Sequence, residues 1–350
     1  MISSRIGALL AAAGRVALAP MEDVTDVVFR RACRSAGATL CVTELVGAEQ
    51  LIADSQLARR KAGLAADDLA TGIQIYGADP DLLVAAARIA ALARPAFLDV
   101  NCGCWVPKIA GRGAGAGWLR EPAAMIEMAQ RIVVVGRDAG LPVSVKTRIG
   151  WGPESHMPIV DLARRLEDVG VAALTIHCRV AIAGHSGAAD WAWARRAREA
   201  VSIPVLVNGD VRTADDVVRA LAETGCAGAM IGRGAIDHPW VFREARARLA
   251  GECPASPSAG ERVAMYLTLL AGNIAQRGER LGLGVTRRHA GVLGPLLDNA
   301  VRAAIYSAPT FAATCAVLDR LLQARNSAET CGVSGSEHAA TVDHPGSPSW

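Results

Sequence analysis

The stretch PVLVNGDVRTADDVVRALAETGCAGAMIGRG, residues 204–234, decides the fold. PVLVNGD (204–210) and GAMIGRG (228–234) are short apolar runs ending in Gly-containing loops. TADDVVRALAETG (213–225) between them has helical spacing, with Thr at its start and Gly at its end. Strands joined through a helix run parallel, because the short connection of an antiparallel pair is a hairpin. Read outward toward the N-terminus, the unit repeats. VALAPM (16–21), CVTEL (41–45), GIQIYG (72–77), FLDVNCG (97–103), PVSVKTRIG (142–150) and ALTIHCR (173–179) bring the strand-like runs to eight. Eight apolar strands buried on both faces, each followed by a helix, predict a (β/α)8 TIM barrel over residues 1–250. A doubly wound sheet would open with a Gly-rich dinucleotide turn after its first strand, and none is present.

Composition agrees with this class. Hydrophobic residues make up 51% and aromatics only 4% of 350 residues, which suits short strands alternating with Ala-rich helices and argues against an all-β sandwich. The formal charge of +3 neither requires nor excludes a nucleic-acid partner. Nine cysteines, an odd number in a chain too long to need staples, read as reduced thiols of a cytoplasmic protein. The start imitates a secretion signal, with Arg5, an apolar run from Ile6 to Ala13 and an Ala17-Leu18-Ala19 triplet. Arg15 interrupts that run and the triplet leads straight into the first strand, so the segment is read as part of the domain. No apolar stretch reaches the roughly 18 residues that suggest a membrane span.

Beyond the barrel, GECPASPSAGE marks a linker at 251–260, and helical spacing predicts a small helical domain over 261–325. Residues 326–350, rich in Ser, Gly, His and Pro, read as an unfolded tail. The chain is expected to be monomeric.

Polar residues gather at the C-terminal strand ends, the face that carries chemistry in such barrels. Asn208-Gly209-Asp210 and Gly232-Arg233 follow strands seven and eight, where backbone N–H groups and a guanidinium suit a phosphate. Lys146 and Arg148 alternate on one strand and so share a face. With His177 and Gln74 they surround one mouth and suit a phosphorylated, hydrogen-bonding ring such as flavin mononucleotide. Cys102 and Cys104 sit on the loop after strand four. Zinc lacks a second suitably spaced pair, and a two-residue disulfide would be strained. The remaining reading is one functional thiol facing the mouth, with no metal.

LAPMEDVTD, GIQIYGADP, FLDVNCGC followed by a Lys and GAGAG, VSVKTRIGW, TIHCR with GHSGAADW, VLVNGDV and MIGRGAIDHPW resemble, in order, the motifs of the tRNA-dihydrouridine synthases. The likeness runs from about residue 16 to residue 250. It implies an FMN- and NADPH-dependent enzyme reducing uridine in tRNA to 5,6-dihydrouridine. Pro20, Met21 and Glu22 would line the flavin, Gln74 and Lys146 would bond its ring edge, and His177 would sit against it. Asn208, Gly209, Asp210, Gly232 and Arg233 would hold the ribityl chain and phosphate. Asn101, Arg179 and Arg148 would read the uracil. Hydride would pass from flavin N5 to uracil C6, with Cys104 as the acid that protonates C5; a thiol of pKa near ~8.5 keeps its proton at neutral pH. TRRHAGVLG, with Arg287 and Arg288, is similar to a basic segment of the family's helical domain and implies a tRNA contact. Two positions depart from the pattern: Trp105 stands where the family usually has proline, and Cys178 where it commonly has glycine. Alternatives are an FMN barrel acting on a free small molecule and an RNA-binding relative without catalysis.

Overall fold

The computed structural model describes residues 4–152 and 157–330. Eight strands close into one all-parallel barrel in sequence order. They are β1 Val16–Leu18, β2 Leu40–Gly47, β3 Thr71–Tyr76, β4 Phe97–Cys102, β5 Val143–Arg148, β6 Ala173–His177, β7 Val205–Asn208 and β8 Gly228–Ile231. Closure pairs β1 with β8, Val16 opposite Ala229 and Leu18 opposite Ile231. Helices begin where the sequence provides caps. Asp79 accepts from the N–H groups of Asp81 and Leu82 ahead of Pro80, and Thr213 and Asp216 form a reciprocal capping box. Gly225, in the left-handed region at φ 64°, ends the second of these helices. Glu121 makes no such cap.

The signal-like N-terminus is a plug. Residues Ser4–Ala12 form a helix, and Ile6, Leu10 and Ala13 pack with Ala17, Leu40, Phe97, Leu206 and Met230. A Cβ on Gly228 would lie 2.7 Å from Leu10 Cδ1, so only glycine admits the leucine there. Burying a Leu side chain contributes roughly 1.5–3 kcal/mol, so packing against the barrel accounts for the apolar character of this run. Above the plug the interior turns polar: Gln74, Asp99 and Ser144 stand opposite one another on β3, β4 and β5.

Helices Ala259–Arg277, Glu279–Thr286, Asn299–Ser307 and Phe311–Thr330, with a 3₁₀ segment Arg287–Leu296, follow the barrel. Ser258 caps the first of them in a capping box with Glu261. The last continues through Thr330, past the expected start of the tail at 326; residues 331–350 lie outside the described residues. Val263, Tyr266, Leu293, Ile305 and Leu318 make a separate small core. This unit is seated firmly on the barrel. Arg277 pairs with Asp26 at 2.6 Å with both side chains nearly buried, and the His289 ring stacks on Phe29 at 4.9 Å. Among the described residues no helix is long and apolar enough to cross a membrane.

Candidate active site

The C-terminal strand ends enclose a cavity of about 310 Å³. Its thiol is set by the loop after β4. Asn101 Oδ1 accepts from the backbone N–H groups of Gly103 (3.1 Å) and Cys104 (2.9 Å), turning the chain so that Cys104 faces the mouth. Cys102 points the other way, fully buried in the outer core. Strand alternation alone would put residues two apart on one face, so it is the turn held by Asn101, beginning where β4 ends at Cys102, that separates the pair. Behind Cys104 the Gly-rich stretch acts as a close buttress: Ala116 N–H donates to Cys104 O at 2.9 Å. Gly115 has φ 56°, and a Cβ there would lie 2.7 Å from that carbonyl oxygen. Burial pushes the Cys104 thiol up against a lowering contribution from the Val106 N–H, so it holds its proton at neutral pH.

Cations dominate the rest of the lining. Lys146, Arg148, Arg212 and Arg233 face Glu22 and Asp210, an excess of two positive charges. Lys146 Nζ donates to Asn208 Oδ1 at 3.1 Å, and Asn208 Nδ2 donates to Met230 O at 2.8 Å, tying β5, β7 and β8 together at the mouth. Burial, with Arg148 nearby, lowers Lys146 to about 8 against the opposing pull of Asp99. His177 is held neutral by burial and by the surrounding Arg148, Lys146 and Arg179. Arg179 Nη1 lies 3.3 Å from its Nε2, and because an arginine can only donate, the ring proton belongs on Nδ1. On the opposite wall, Pro20, Met21 and Glu22 line the cavity from the loop after β1. That loop is fixed by Glu44 accepting from Asp23 N–H at 2.7 Å and by a Lys61–Glu22 pair.

Several expected site residues stand elsewhere or are already engaged. Gln74 is fully buried and does not line the cavity; its Nε2 donates to Asp99 Oδ2 at 2.6 Å and its Oε1 accepts from Asn101 at 2.8 Å. Arg179 is also absent from the lining. Its Nη2 donates to both oxygens of Asp210 at 2.7 and 2.6 Å, and its guanidinium donates to Ser186 and Gly187 carbonyls. Arg148 lines the cavity but works as a clamp, with Nε on Gly103 O and Nη1 on Val180 O and Gly184 O. It thereby joins the thiol loop to the loop after β6. Buried polar groups must find partners, and Gln74 and the two arginines found theirs in side chains and carbonyls of the chain itself. Arg287 and Arg288 lie outside the cavity. Arg287 donates to Ala308 O, while exposed Arg288 reaches Asp23 O on the loop after β1, placing the helical unit beside the rim.

Some residues were not singled out by sequence reading. Asp99 and Ser144 sit beneath the thiol loop, joined by a hydrogen bond of 2.5 Å from Ser144 Oγ; the alternation of FLDVN put Asp99 on the same face as Asn101, which was the available signal. Arg212 and His185 line the cavity. His185 lies within the GHSGAADW motif, beside Trp105 (ring centroids 5.7 Å, edge to face) and His177 (5.9 Å). Trp105 also lines the cavity, its ring 3.2 Å from where a Cβ on Gly184 would be. Cys178, the other departure, is buried in the outer core and does not line the cavity; its backbone N–H donates to the carbonyl of the lining residue Asn208 at 2.9 Å.

A closed parallel barrel with a thiol and an excess of cations around the mouth at its C-terminal strand ends has the layout of a (β/α)8-barrel enzyme. The family model described as "Dihydrouridine synthase (Dus)" matches residues 17–305, and the chain belongs to this family. A "Probable tRNA-dihydrouridine synthase" of Rhodobacter capsulatus is 34% identical over 316 residues, covering 89% of this chain and 96% of the relative. One of the same name from Mycobacterium tuberculosis is 36% identical over 88% of this chain and 82% of its own length. "tRNA-dihydrouridine synthase B" of Pseudomonas aeruginosa is 32% identical over 79% and 82%. Among solved structures, a 2-naphthoyl-CoA reductase complex superposes with a TM-score of 0.51 at 12% identity, covering 68% of this chain and 50% of that one, a likeness of fold alone.

Proposed function

We propose that this protein reduces specific uridines of tRNA to 5,6-dihydrouridine, using FMN as bound carrier and NADPH as reductant. One observation carries the reading: a thiol kept protonated by burial, Cys104, opens on the same cavity as Lys146 and Arg233. The donor set fits a flavin mononucleotide. An excess of two positive charges complements a phosphate dianion, which Arg233, Arg212 and the turn Asn208–Asp210 would hold. Lys146 would meet the polar edge of the ring, Pro20, Met21 and Glu22 would line one side, and neutral His177 would offer Nδ1–H.

When bound, the flavin supplies the hydride that no side chain can give. The chain's own part is positional and acidic. Cys104 Sγ gives its proton to uracil C5, and Asn101 holds the Cys104 N–H so that the thiol cannot turn inward. Arg148 keeps the thiol loop and the loop after β6 at a fixed separation, and Trp105 presents an aromatic surface against which an unstacked base can rest. A uridine must leave its stack to enter such a mouth. The helical unit meets the rim through Arg288 and extends the surface toward the rest of the RNA. We take the enzyme to act as a cytoplasmic monomer, in keeping with its free thiols and with a helical unit seated on its own barrel.

The test is direct. Purified protein, FMN, NADPH and tRNA from a strain lacking the enzyme are expected to yield dihydrouridine by nucleoside mass spectrometry. Flavin that is bound and reduced without any dihydrouridine would refute the reading.

A further inference from the structure

Beneath the thiol runs a one-way chain of hydrogen bonds across three strands. Asn101 Oδ1 is committed to two backbone N–H groups, those of Gly103 and Cys104, so its amide nitrogen must point away from them. That nitrogen donates to Gln74 Oε1 at 2.8 Å. Gln74 then has only its own NH₂ to offer at the other end, and it donates to Asp99 Oδ2 at 2.6 Å. The chain therefore requires an acceptor at its foot. A carboxylate is the side chain that offers only acceptors, and Ser144 Oγ donates to its second oxygen at 2.5 Å. Gln74 is fully buried and Asp99 is 3% exposed, and neither lines the cavity, so solvent does not replace a partner lost at the lower end of the chain.

We infer that Asp99 is a positioning residue for Cys104, fixing through Gln74 and Asn101 the direction in which the thiol loop is held. The inference rests on Cys104 being the acid of the proposed reaction, and it names a contribution from a residue that touches neither cavity nor thiol. The register makes the arrangement possible: Gln74 lies opposite Asp99, and Asp99 opposite Ser144, while Asn101 is one interior position further toward the mouth. Burial raises Asp99 to about 6 against the hydrogen bonds from Ser144 and Gln74. Protonation leaves the sense of the chain intact, because a carboxyl can donate toward Ser144 and still accept from Gln74. An asparagine at this position can do the same, whereas a leucine cannot.

Two readouts on the purified full-length chain separate this role from general stabilisation. The first is the rate of alkylation of each cysteine by iodoacetamide, resolved by peptide mass spectrometry. Asp99→Leu is expected to free the loop and speed modification of Cys104 by about ten-fold, with Cys102 on the same strand still protected; Asp99→Asn is expected to restore the wild-type rate. Gln74→Leu, which breaks the chain one link higher, is expected to match Asp99→Leu and carries the test if that variant does not fold. The second readout is kinetic: kcat for dihydrouridine formation falls by about ten-fold in Asp99→Leu and KM for tRNA stays within about two-fold. An unchanged Cys104 rate in both folded leucine variants, equal exposure of Cys102, or an asparagine variant as impaired as the leucine one would each overturn the assignment. Should the wild-type protein make no dihydrouridine, the proposed function falls, and the alkylation comparison still decides the role of Asp99.

Discussion

Arg179 donates to both carboxylate oxygens of Asp210, at 2.7 and 2.6 Å, and the pair is buried unequally: the Arg179 side chain is 4% exposed and that of Asp210 30%. The inequality predicts different outcomes for the two halves. Asp210→Ala leaves an uncompensated buried guanidinium and is expected to lose about 3 kcal/mol in urea denaturation; Arg179→Met leaves a carboxylate that can turn to water and is expected to lose less. Burial raises the Asp210 carboxyl, but the hydrogen bonds from Arg179 and from Ala189 N–H outweigh it, so its net shift is downward. Its contribution to stability is therefore full above the unfolded value near ~3.9 and disappears as pH falls below it.

Replacing the thiols should separate their roles. Cys104→Ala is expected to keep flavin binding and flavin reduction by NADPH while dihydrouridine formation falls by about 10²- to 10⁴-fold. Cys102→Ala, a small truncation in the outer core, is expected to remain active and lose about 1 kcal/mol of stability. Equal loss of activity in both would point to a joint role for the pair.

Gly115→Ala tests the buttress. With φ at 56° and the new methyl 2.7 Å from Cys104 O, either the backbone or the thiol loop must move. Dihydrouridine formation is expected to fall by at least about ten-fold, with flavin affinity unchanged, since a misplacement near 1 Å is enough to slow catalysis. A fully active variant would show that the contact behind Cys104 is dispensable.

Lys146, lowered to about 8, gives opposite signs for ligand affinity and for stability. Above pH 8 the free enzyme loses the cation, so FMN affinity measured by fluorescence quenching is expected to decline with rising pH, by at most about ten-fold per unit. Between that value and the unfolded lysine value near ~10.4, the unfolded chain binds more protons, so this residue's contribution makes folding stability rise with pH. Lys146→Met should flatten both trends.

RNA affinity provides a further check. Arg280 is exposed on the helical unit, whereas Arg287 is half-buried and donates to Ala308 O. Arg280→Ala is expected to reduce the slope of log affinity for tRNA against log salt by about one. Arg287→Ala should instead lower the melting temperature of the protein.

Much of the barrel was legible because its strands are apolar on both faces and end at Gly, Pro or charge. The details that escaped depend on partners far away in the chain. β2 runs to Gly47 rather than ending at Leu45, because its pairing with β3 shifts register between Val42 and Leu45. Local pattern carries no trace of such a shift. Gln74, Arg148 and Arg179 were recognisable as polar residues at strand ends, but sequence could not tell a side chain facing the cavity from one absorbed by Asp99, Gly103 or Asp210. Asp99 was read as part of a strand and nothing more, since its role exists only where β3, β4 and β5 lie side by side.

The seam between β1 and β8 has a kinetic consequence. Arg15 Nη2 donates to Cys226 O across 211 residues of sequence, and the plug helix finds Met230 and Gly228 at the same place. The plug helix, synthesised before every barrel strand, therefore has no finished seat until about the last barrel strand has been made. Contacts of such separation form late and are sensitive to delay. Substitutions at Leu10 or Gly228 should then reduce the yield of folded protein during synthesis more than they disturb chemistry at the opposite end of the barrel.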